Sequence, residues 1–588
     1  MITLSCLVSR QSMLRVRTLR RSWVTLMDTP LSCVFHGASE KHDYVEGVVC
    51  KQEDINENEM KLLPLGDEGG KILLVKQKGE LHAIGTKCTH YGALLNTGAL
   101  GNGRIRCPWH GACFNIKTGD IEDYPGLDSL PCYKVCVDEA GQVRVRAKRT
   151  DLEINKRMKE MVARDPQNKK TAVIVGGGPA GAVCAETLRQ EGFTGRIIMV
   201  CKEKVVPYDR IKVSKVFDFD VQKAALRPSA FYNDQRIETK LGVEAIGLDT
   251  SQNLIKLSNN EDLKYDYLFT CTGGKPRMTD QSGSDLKNIF VMRDYTDSHA
   301  IHLLLSADKH VIILGMGFIG MEAAASCVGK CASVTVIGSS TAPLRTIFGA
   351  DIGNRIKKEH EAKGVKFIKN TIKQFIPKEG GDVLAKVELT DGQILPADIA
   401  IIGIGTTFYT DWLKESCIQM NDDGTVLVNK YLRTNIENVY AGGDIAYAPI
   451  YGCDNILAAI GHYSLAHYHG KIAALNICGK ETPLKSIPYF WTNLLGKNYR
   501  YTGYGKPTTI KIHGSLDNLE FFAYHLKDCK VIAMSSVNAD PVVSDFANLL
   551  YEGKLLTEEE INADPFGWMR NKPKDALTRF KDSILVEP

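Results

Sequence analysis

Two short stretches of this chain set sulfur and imidazole at close spacing. They are Cys88-Thr89-His90 and Cys107-Pro108-Trp109-His110, with sixteen residues between His90 and Cys107. Two thiolates can hold one iron of a [2Fe–2S] cluster and two imidazoles the other, which is the Rieske arrangement. Gly92, Pro108 and Gly111 stand beside these residues and let the backbone fold tightly around the sulfurs. A structural Cys2His2 zinc site is the competing chemistry. Zinc ligand pairs are usually separated by two to four residues, and Cys88 and His90 have one between them. Cys88, His90, Cys107 and His110 are therefore the metal-ligand candidates.

Two glycine loops further along could cradle dinucleotides. Ala172-Val173-Ile174-Val175 is a buried-strand run that opens into Gly176-Gly177-Gly178-Pro179-Ala180-Gly181, followed by a helical pattern. In such a loop Gly176 makes the tight turn, Gly178 admits the pyrophosphate, and Gly181 lets helix and strand pack closely. The helix N-terminus adds N–H groups and a positive dipole. The next strand ends near Glu203, a carboxylate suited to ribose hydroxyls. The pattern recurs, with Val311-Ile312-Ile313-Leu314 feeding Gly315-Met316-Gly317-Phe318-Ile319-Gly320 and then Met321-Glu322. Two such units imply two dinucleotides, a flavin and a nicotinamide. The second unit departs from the pattern, because its strand runs into Gly338-Ser339-Ser340 without an acid. Either NADPH is tolerated or nicotinamide binding is weak; Arg345 is the nearest cation that could read a 2′-phosphate, and NADH and NADPH both stay open. Thr272-Gly273-Gly274 and Ala441-Gly442-Gly443-Asp444 end two further strands in glycine turns, and Asp444 could hydrogen-bond a flavin ribityl chain.

These motifs need several domains to position them. At roughly 150 residues each, 588 residues make about four. Hydrophobic residues at 44% and charged residues at 24% exclude a disordered, collagenous or coiled-coil chain. A net charge of +4 gives no case for nucleic-acid binding. No apolar run approaches the roughly 18 residues of a spanning helix. Seventeen cysteines are too dilute for a disulfide scaffold and read mostly as buried thiols, as at Cys184, Cys271 and Cys327. Residues 1–42 form an N-terminal extension. Its Arg10, Arg15, Arg17, Arg20 and Arg21, with no acid before Asp28, read as a mitochondrial transit peptide; otherwise the protein is cytoplasmic. Short strand-like runs make 43–148 a small all-β Rieske domain, and charged 149–170 a helical or loose linker. Alternating strand and helix patterns give an FAD domain in two parts, 171–298 and 429–483, around an NAD(P) domain at 299–428. Residues 484–588 read as an α+β C-terminal domain. The expected fold class is multidomain: an all-β Rieske domain, α/β double Rossmann-like FAD and NAD(P) domains, then an α+β domain.

Taken together, the motifs resemble the pyridine nucleotide-disulfide reductase superfamily in its ferredoxin-reductase-like branch. Within it they are similar to the Rieske-bearing part of the apoptosis-inducing-factor family. The runs from Arg106 to Asn115 and from Ala185 to Phe193 carry that likeness, which spans about residues 43–555. The resemblance implies FAD contacts at Gly176, Gly178, Pro179, Ala180, Gly181, Glu203, Arg210, Lys215, Thr272, Gly273 and Asp444. Arg210 and Lys215 would neutralise pyrophosphate charge. It implies NAD(P) contacts at Gly315, Gly317, Gly320 and Glu322, with His462 and Tyr463 near the rings. Many relatives have Trp where Tyr463 stands. Trp491 falls in Tyr489-Phe490-Trp491, which resembles the aromatic stretch opening the family's C-terminal domain. The redox CxxxxC of disulfide-reducing cousins is represented only by Cys184, so dithiol chemistry is not expected. High-potential Rieske proteins resemble one another in having extra cysteines and hydroxyl donors. By that likeness those positions are Ala93, Trp109, Ala112 and Phe114 here, which implies a low-potential cluster.

The function implied is transfer of electrons from NAD(P)H through FAD to the Rieske [2Fe–2S] cluster and on to an acceptor the sequence does not name. Such chemistry requires no side-chain nucleophile or general acid, so no catalytic residue is singled out. The alternative is a redox-responsive regulator of apoptosis with little turnover, which the missing acid after Ile337 and the changed aromatic at Tyr463 would suit.

Overall fold

The computed structural model describes residues 43–66, 69–453, 456–570, 580 and 583–586. The arginine-rich extension with its transit-peptide reading lies outside the described residues. So does much of the segment after 570.

The first described unit is all-β. Alternating burial along Gln142–Lys148 puts Val143, Val145 and Ala147 inside and their neighbours outward, as a half-solvated antiparallel strand requires. That strand lies second in a six-stranded sheet whose other members are Tyr44–Lys51, Cys132–Val137, Glu80–Ile84, Lys71–Gln77 and Glu59–Pro64. A smaller four-stranded sheet, Ala99–Gly101, Arg104–Arg106, Cys113–Asn115 and Ile121–Asp123, carries Cys107 and His110, while Cys88 and His90 lie on the connection from strand Glu80–Ile84 to its first strand. Arg106 pairs with Cys113, so Cys107 to Ala112 is a hairpin loop of that sheet. The charged segment after Lys148 is a short helix, Arg149–Ile154, and then chain pinned to the β domain. Asn155 Oδ1 accepts from Thr86 N at 2.7 Å, and Arg157 and Ser129 exchange two backbone hydrogen bonds.

Two parallel five-stranded sheets follow; they share the order of four strands, and the fifth, at one edge, comes from the end of the chain segment in the first and from its start in the second. The first runs Ile237–Leu241, Arg196–Cys201, Thr171–Val175, Tyr267–Thr270 and Val439–Ala441. The second runs Val365–Lys369, Ser333–Gly338, His310–Leu314, Ile399–Ile402 and Ile289–Phe290. Their central strands, read as continuous apolar runs, are buried along nearly their whole length because both faces are covered, by a helix such as Phe318–Cys327 and, for the second sheet, by the antiparallel strands that carry Phe375, Leu384 and Val387. Helix Pro179–Gln190 packs against helix Tyr463–Ile477 so closely that a Cβ on Gly470 would stand 2.2 Å from the Ala180 carbonyl oxygen.

The last unit is a six-stranded antiparallel sheet. It starts with Tyr489–Leu494 and Lys497–Gly503 and is covered by helices Val542–Tyr551 and Glu558–Ala563. Among the described residues, no helix is long and apolar enough to cross a membrane.

Candidate functional site

The two ligand loops have one design. Gly92 N donates to the Cys88 carbonyl at 3.0 Å and Cys88 N to Ala93 O at 2.8 Å; Gly111 N donates to Cys107 O at 3.3 Å and Cys107 N to Ala112 O at 2.7 Å. Gly92 and Gly111 close these turns at φ +79° and +78°, a conformation that disfavours any side chain. The loops face each other. Nδ1 of His90 lies 3.1 Å from Nδ1 of His110, and the Cys88 and Cys107 thiols are hydrogen-bonded neighbours. Burial pushes His90 down to about 3 and holds His110 well below the usual histidine range, so both imidazoles are neutral. The Cys107 thiol and burial push Cys88 up. Burial opposes ionisation of Cys107 too, yet the Cys88 thiol and the N–H groups of Trp109 and His110 hold it below the usual range. Two paired thiols opposite two neutral imidazoles are a donor set that fits a two-iron cluster.

The C-terminal unit grips the second loop. A Cβ on Gly111 would stand 2.6 Å from the Tyr489 ring. Ser544 Oγ donates to Cys107 O at 3.0 Å, and Arg500 Nε to Trp109 O at 3.0 Å. On the far side, His110 lies 4.5 Å from the Trp491 ring centroid, and Trp491 lies 5.3 Å from that of His462. Tyr91 stacks on His90 at 3.8 Å and donates its hydroxyl to Asp209.

Trp491 and His462 also line a cavity of about 740 Å³ that extends to the first glycine loop. Gly176, Gly178, Pro179, Ala180, Glu203, Arg210, Lys215, Thr272, Gly273, Glu322, Asp444 and Tyr463 line it as well. Gly181 sits behind the loop, where its Cβ would meet Gly176 O at 2.1 Å; Gly178, the helix N-cap, faces open space with Arg210 Nε 3.9 Å away. An N-cap with room in front of it and a cavity of this length fit an extended dinucleotide. The glycines of the second loop do not line the cavity, though Phe318 and Ile319 of that loop do. Gly320 is sealed by Gly315 O at 2.1 Å, and Gly317 has nothing within 4 Å of its Cβ position.

The expected contacts are joined to one another. Glu203 takes a hydrogen bond from Tyr208 Oη at 2.8 Å and pairs with Arg210. Lys215 ends on Glu322 at 2.6 Å, so Glu322, expected with the nicotinamide, is tied to a residue expected with the flavin. Glu322 also receives Ser214 Oγ and, at 2.6 Å, Thr492 Oγ1. One buried carboxylate of the second dinucleotide unit thus takes donors from two others, the first dinucleotide unit and the C-terminal unit. Thr272 turns its hydroxyl to Tyr409 O at 2.6 Å. Arg293, which no sequence motif marks, pairs with Asp444 at 3.2 Å and lines the same wall. Phe318 and Phe490 meet at 5.3 Å over the cavity. Both lie inside stretches the sequence singled out for other residues.

Comparison with known proteins gives this arrangement its class. Residues 170–470 match the pyridine nucleotide-disulphide oxidoreductase family and residues 46–134 the Rieske [2Fe-2S] domain. Fold and site define an NAD(P)H-dependent, FAD-containing, ferredoxin-reductase-like oxidoreductase that also carries a [2Fe–2S] domain. Apoptosis-inducing factor 3 of Mus musculus is 38% identical over 526 residues, covering 88% of this chain and 86% of the mouse protein. A ferredoxin--NAD(P)(+) reductase of Sphingomonas sp is 30% identical, covering 67% of this chain and 94% of its own. The chain belongs to the pyridine nucleotide-disulphide oxidoreductase family, in the group that contains apoptosis-inducing factor 3. In fold it is similar to the crystal structure of the ferredoxin reductase for the CYP199A2 system from Rhodopseudomonas palustris. That likeness has a TM-score of 0.64 and 24% identity, and covers 68% of this chain and 99% of that one.

Proposed function

We propose that this chain takes electrons from NAD(P)H and delivers them, by way of FAD, to a [2Fe–2S] cluster on its own N-terminal domain, and from there to an external one-electron acceptor. When bound, FAD supplies the conversion of a two-electron hydride into single electrons, which an iron–sulfur cluster takes one at a time. The observation that carries this reading is Trp491. Its indole touches the cluster side through His110 and the cavity side through His462, with no solvent layer required between.

Each group of residues has a task in this reading. Cys88 and Cys107 hold one iron, His90 and His110 the other. The N-terminus of helix Pro179–Gln190 takes the FAD pyrophosphate, Glu203 and Asp444 its hydroxyls, and Gly315, Gly317 and Gly320 the nicotinamide dinucleotide. Arg210 and Lys215 supply positive charge, and Glu322 fixes Lys215. His462, pushed down to about 3 by burial, stays neutral at the ring end of the cavity. Phe318 and Phe490 exclude water there. Residues 1–42 direct the chain to mitochondria.

Anaerobic titration with NADH and with NADPH, followed by visible absorption and EPR, tests the reading. Bleaching of a flavin band followed by a reduced-cluster EPR signal is expected. A flavin that stays reduced without passing electrons to cluster or dye supports a regulator instead. Trp491→Ala should leave flavin reduction fast and slow cluster reduction on the order of tenfold to a hundredfold, since small displacements of reacting groups have effects of that size. Unchanged cluster reduction in that variant would remove Trp491 from the route.

A second prediction concerns potential. The Cys88 and Cys107 sulfurs receive backbone N–H groups, while the buried apolar Ala112 and Phe114 offer no hydroxyl. We predict that Ala112→Ser or Phe114→Tyr raises the cluster midpoint by about 60 mV, the equivalent of a hydrogen bond favouring the reduced cluster by about 1.4 kcal/mol. EPR-monitored redox titration reads it directly, and equal midpoints would refute it.

A further inference from the structure

The second glycine loop is flanked by the chain leaving strand Ser333–Gly338. Leu344 N donates to Met316 O at 2.9 Å, and a Cβ on Gly338 would stand 2.9 Å from Met316 Cγ. Residues 338–345 therefore lie alongside the dinucleotide loop, at the strand end from which an Asp or Glu holds the adenosine ribose of NADH. Gly338 occupies that end, and the next carboxylate along the chain is Asp351. Cations stand there instead. Lys369, on the neighbouring strand Val365–Lys369, is in parallel register with Gly338, so both positions project to the same face. Arg345 closes the loop and reaches back to Thr341 Oγ1 at 3.2 Å. Both cations are exposed. Gly317, the N-cap of helix Phe318–Cys327, leaves open space for a pyrophosphate.

We infer that this site selects NADPH over NADH, with Arg345 and Lys369 receiving the 2′-phosphate. The inference rests on the nicotinamide use proposed above and narrows it to one donor. A 2′-phosphate beside a carboxylate is repelled; here it meets an Arg fork and a Lys point charge. NADH offers these cations nothing and finds no carboxylate for its hydroxyls.

Calorimetric titration of the holoprotein with 2′,5′-ADP and with 5′-AMP isolates the phosphate from any redox step. Stopped-flow reduction by NADPH and NADH supplies the second readout. The 2′-phosphorylated compounds should be favoured about tenfold or more, the range of one to two charge-assisted hydrogen bonds. Arg345→Leu combined with Lys369→Met should bring that ratio near one, and Gly338→Asp should reverse it. Flavin content of each variant shows whether it has folded. Equal affinities for the two nucleotides, or faster reduction by NADH in the unmodified protein, would overturn the NADPH assignment alone. If neither nucleotide binds and neither nicotinamide reduces the flavin, this assignment and the proposed function fall together.

Discussion

Replacing His110 with alanine should abolish the [2Fe–2S] absorption and EPR signals while nicotinamide still bleaches the flavin. His110 and His90 present their Nδ1 atoms to one point, 3.1 Å apart, and no other described His shares that position. Removing one imidazole leaves an iron with a single protein nitrogen, which the buried thiols cannot replace because they belong to the opposite corner. Transfer to acceptors that need the cluster should fall to background. Reduction of a dye that takes electrons from flavin should persist, because no cavity-lining residue on the first glycine loop is touched. Cys107→Ser should act alike, since a hydroxyl does not ionise to a comparable ligand at neutral pH. Metal analysis separates this from the zinc alternative. About two irons per chain with sulfide in the unmodified protein, lost in the variant, supports the cluster. One zinc per chain, or a cluster signal that survives His110→Ala, would sink it.

The parts of this molecule that were readable beforehand are those whose chemistry fixes local spacing. Cys88-x-His90 and Cys107-x-x-His110 must fall on tight turns, and the turns at Gly92 and Gly111 are local events. Strand-to-glycine-loop transitions at Val175 and Leu314 are likewise set within ten residues, which is why both parallel sheets were legible. What was not legible is pairing across long separations. Nothing around Arg293 in the sequence points to Asp444, 151 positions later. The Lys215–Glu322 pair joins two residues assigned to different cofactors, because each was placed by its own segment's pattern. The charged stretch after Lys148 reads as helical or loose; it is helical over Arg149–Ile154, and Asn155 and Arg157 then fasten it by hydrogen bonds that hydrophobic periodicity does not register. Least visible was the docking of the cluster loop on the C-terminal unit, where Ser544 and Cys107 meet across 437 positions.

That docking makes Arg106 the most consequential residue outside the ligand set. Its side chain is 1% exposed and the guanidinium holds three partners at once. Nη1 donates to Gly111 O at 2.8 Å, holding the ligand turn. Nη2 meets Asp123 at 3.2 Å, and Nε donates to Asn548 Oδ1 at 3.0 Å on the C-terminal helix. Asn548 in turn donates to Ala99 O at 3.2 Å, and Asp123 accepts from Ser486 Oγ at 2.7 Å. A neutral hydrogen bond contributes about 1 kcal/mol, but stranding a buried carboxylate costs about 3–5 kcal/mol. Asp123 therefore dominates the balance. Arg106→Met, which keeps most of the volume, should destabilise the cluster domain and its interface by that amount. Because the chain has several domains, one global unfolding free energy is not the right measure. The expected sign is selective: bleaching of the cluster by a chelator should accelerate by on the order of a hundredfold, as 3 kcal/mol implies, while flavin retention changes little. Arg106→Met with Asp123→Leu should recover much of the loss, because a buried pair replaced on both sides leaves no unpaired charge. If the single variant releases its cluster no faster than the unmodified protein, Arg106 does not hold the second ligand loop. If the double variant is no better than the single, the stranded carboxylate is not the cause.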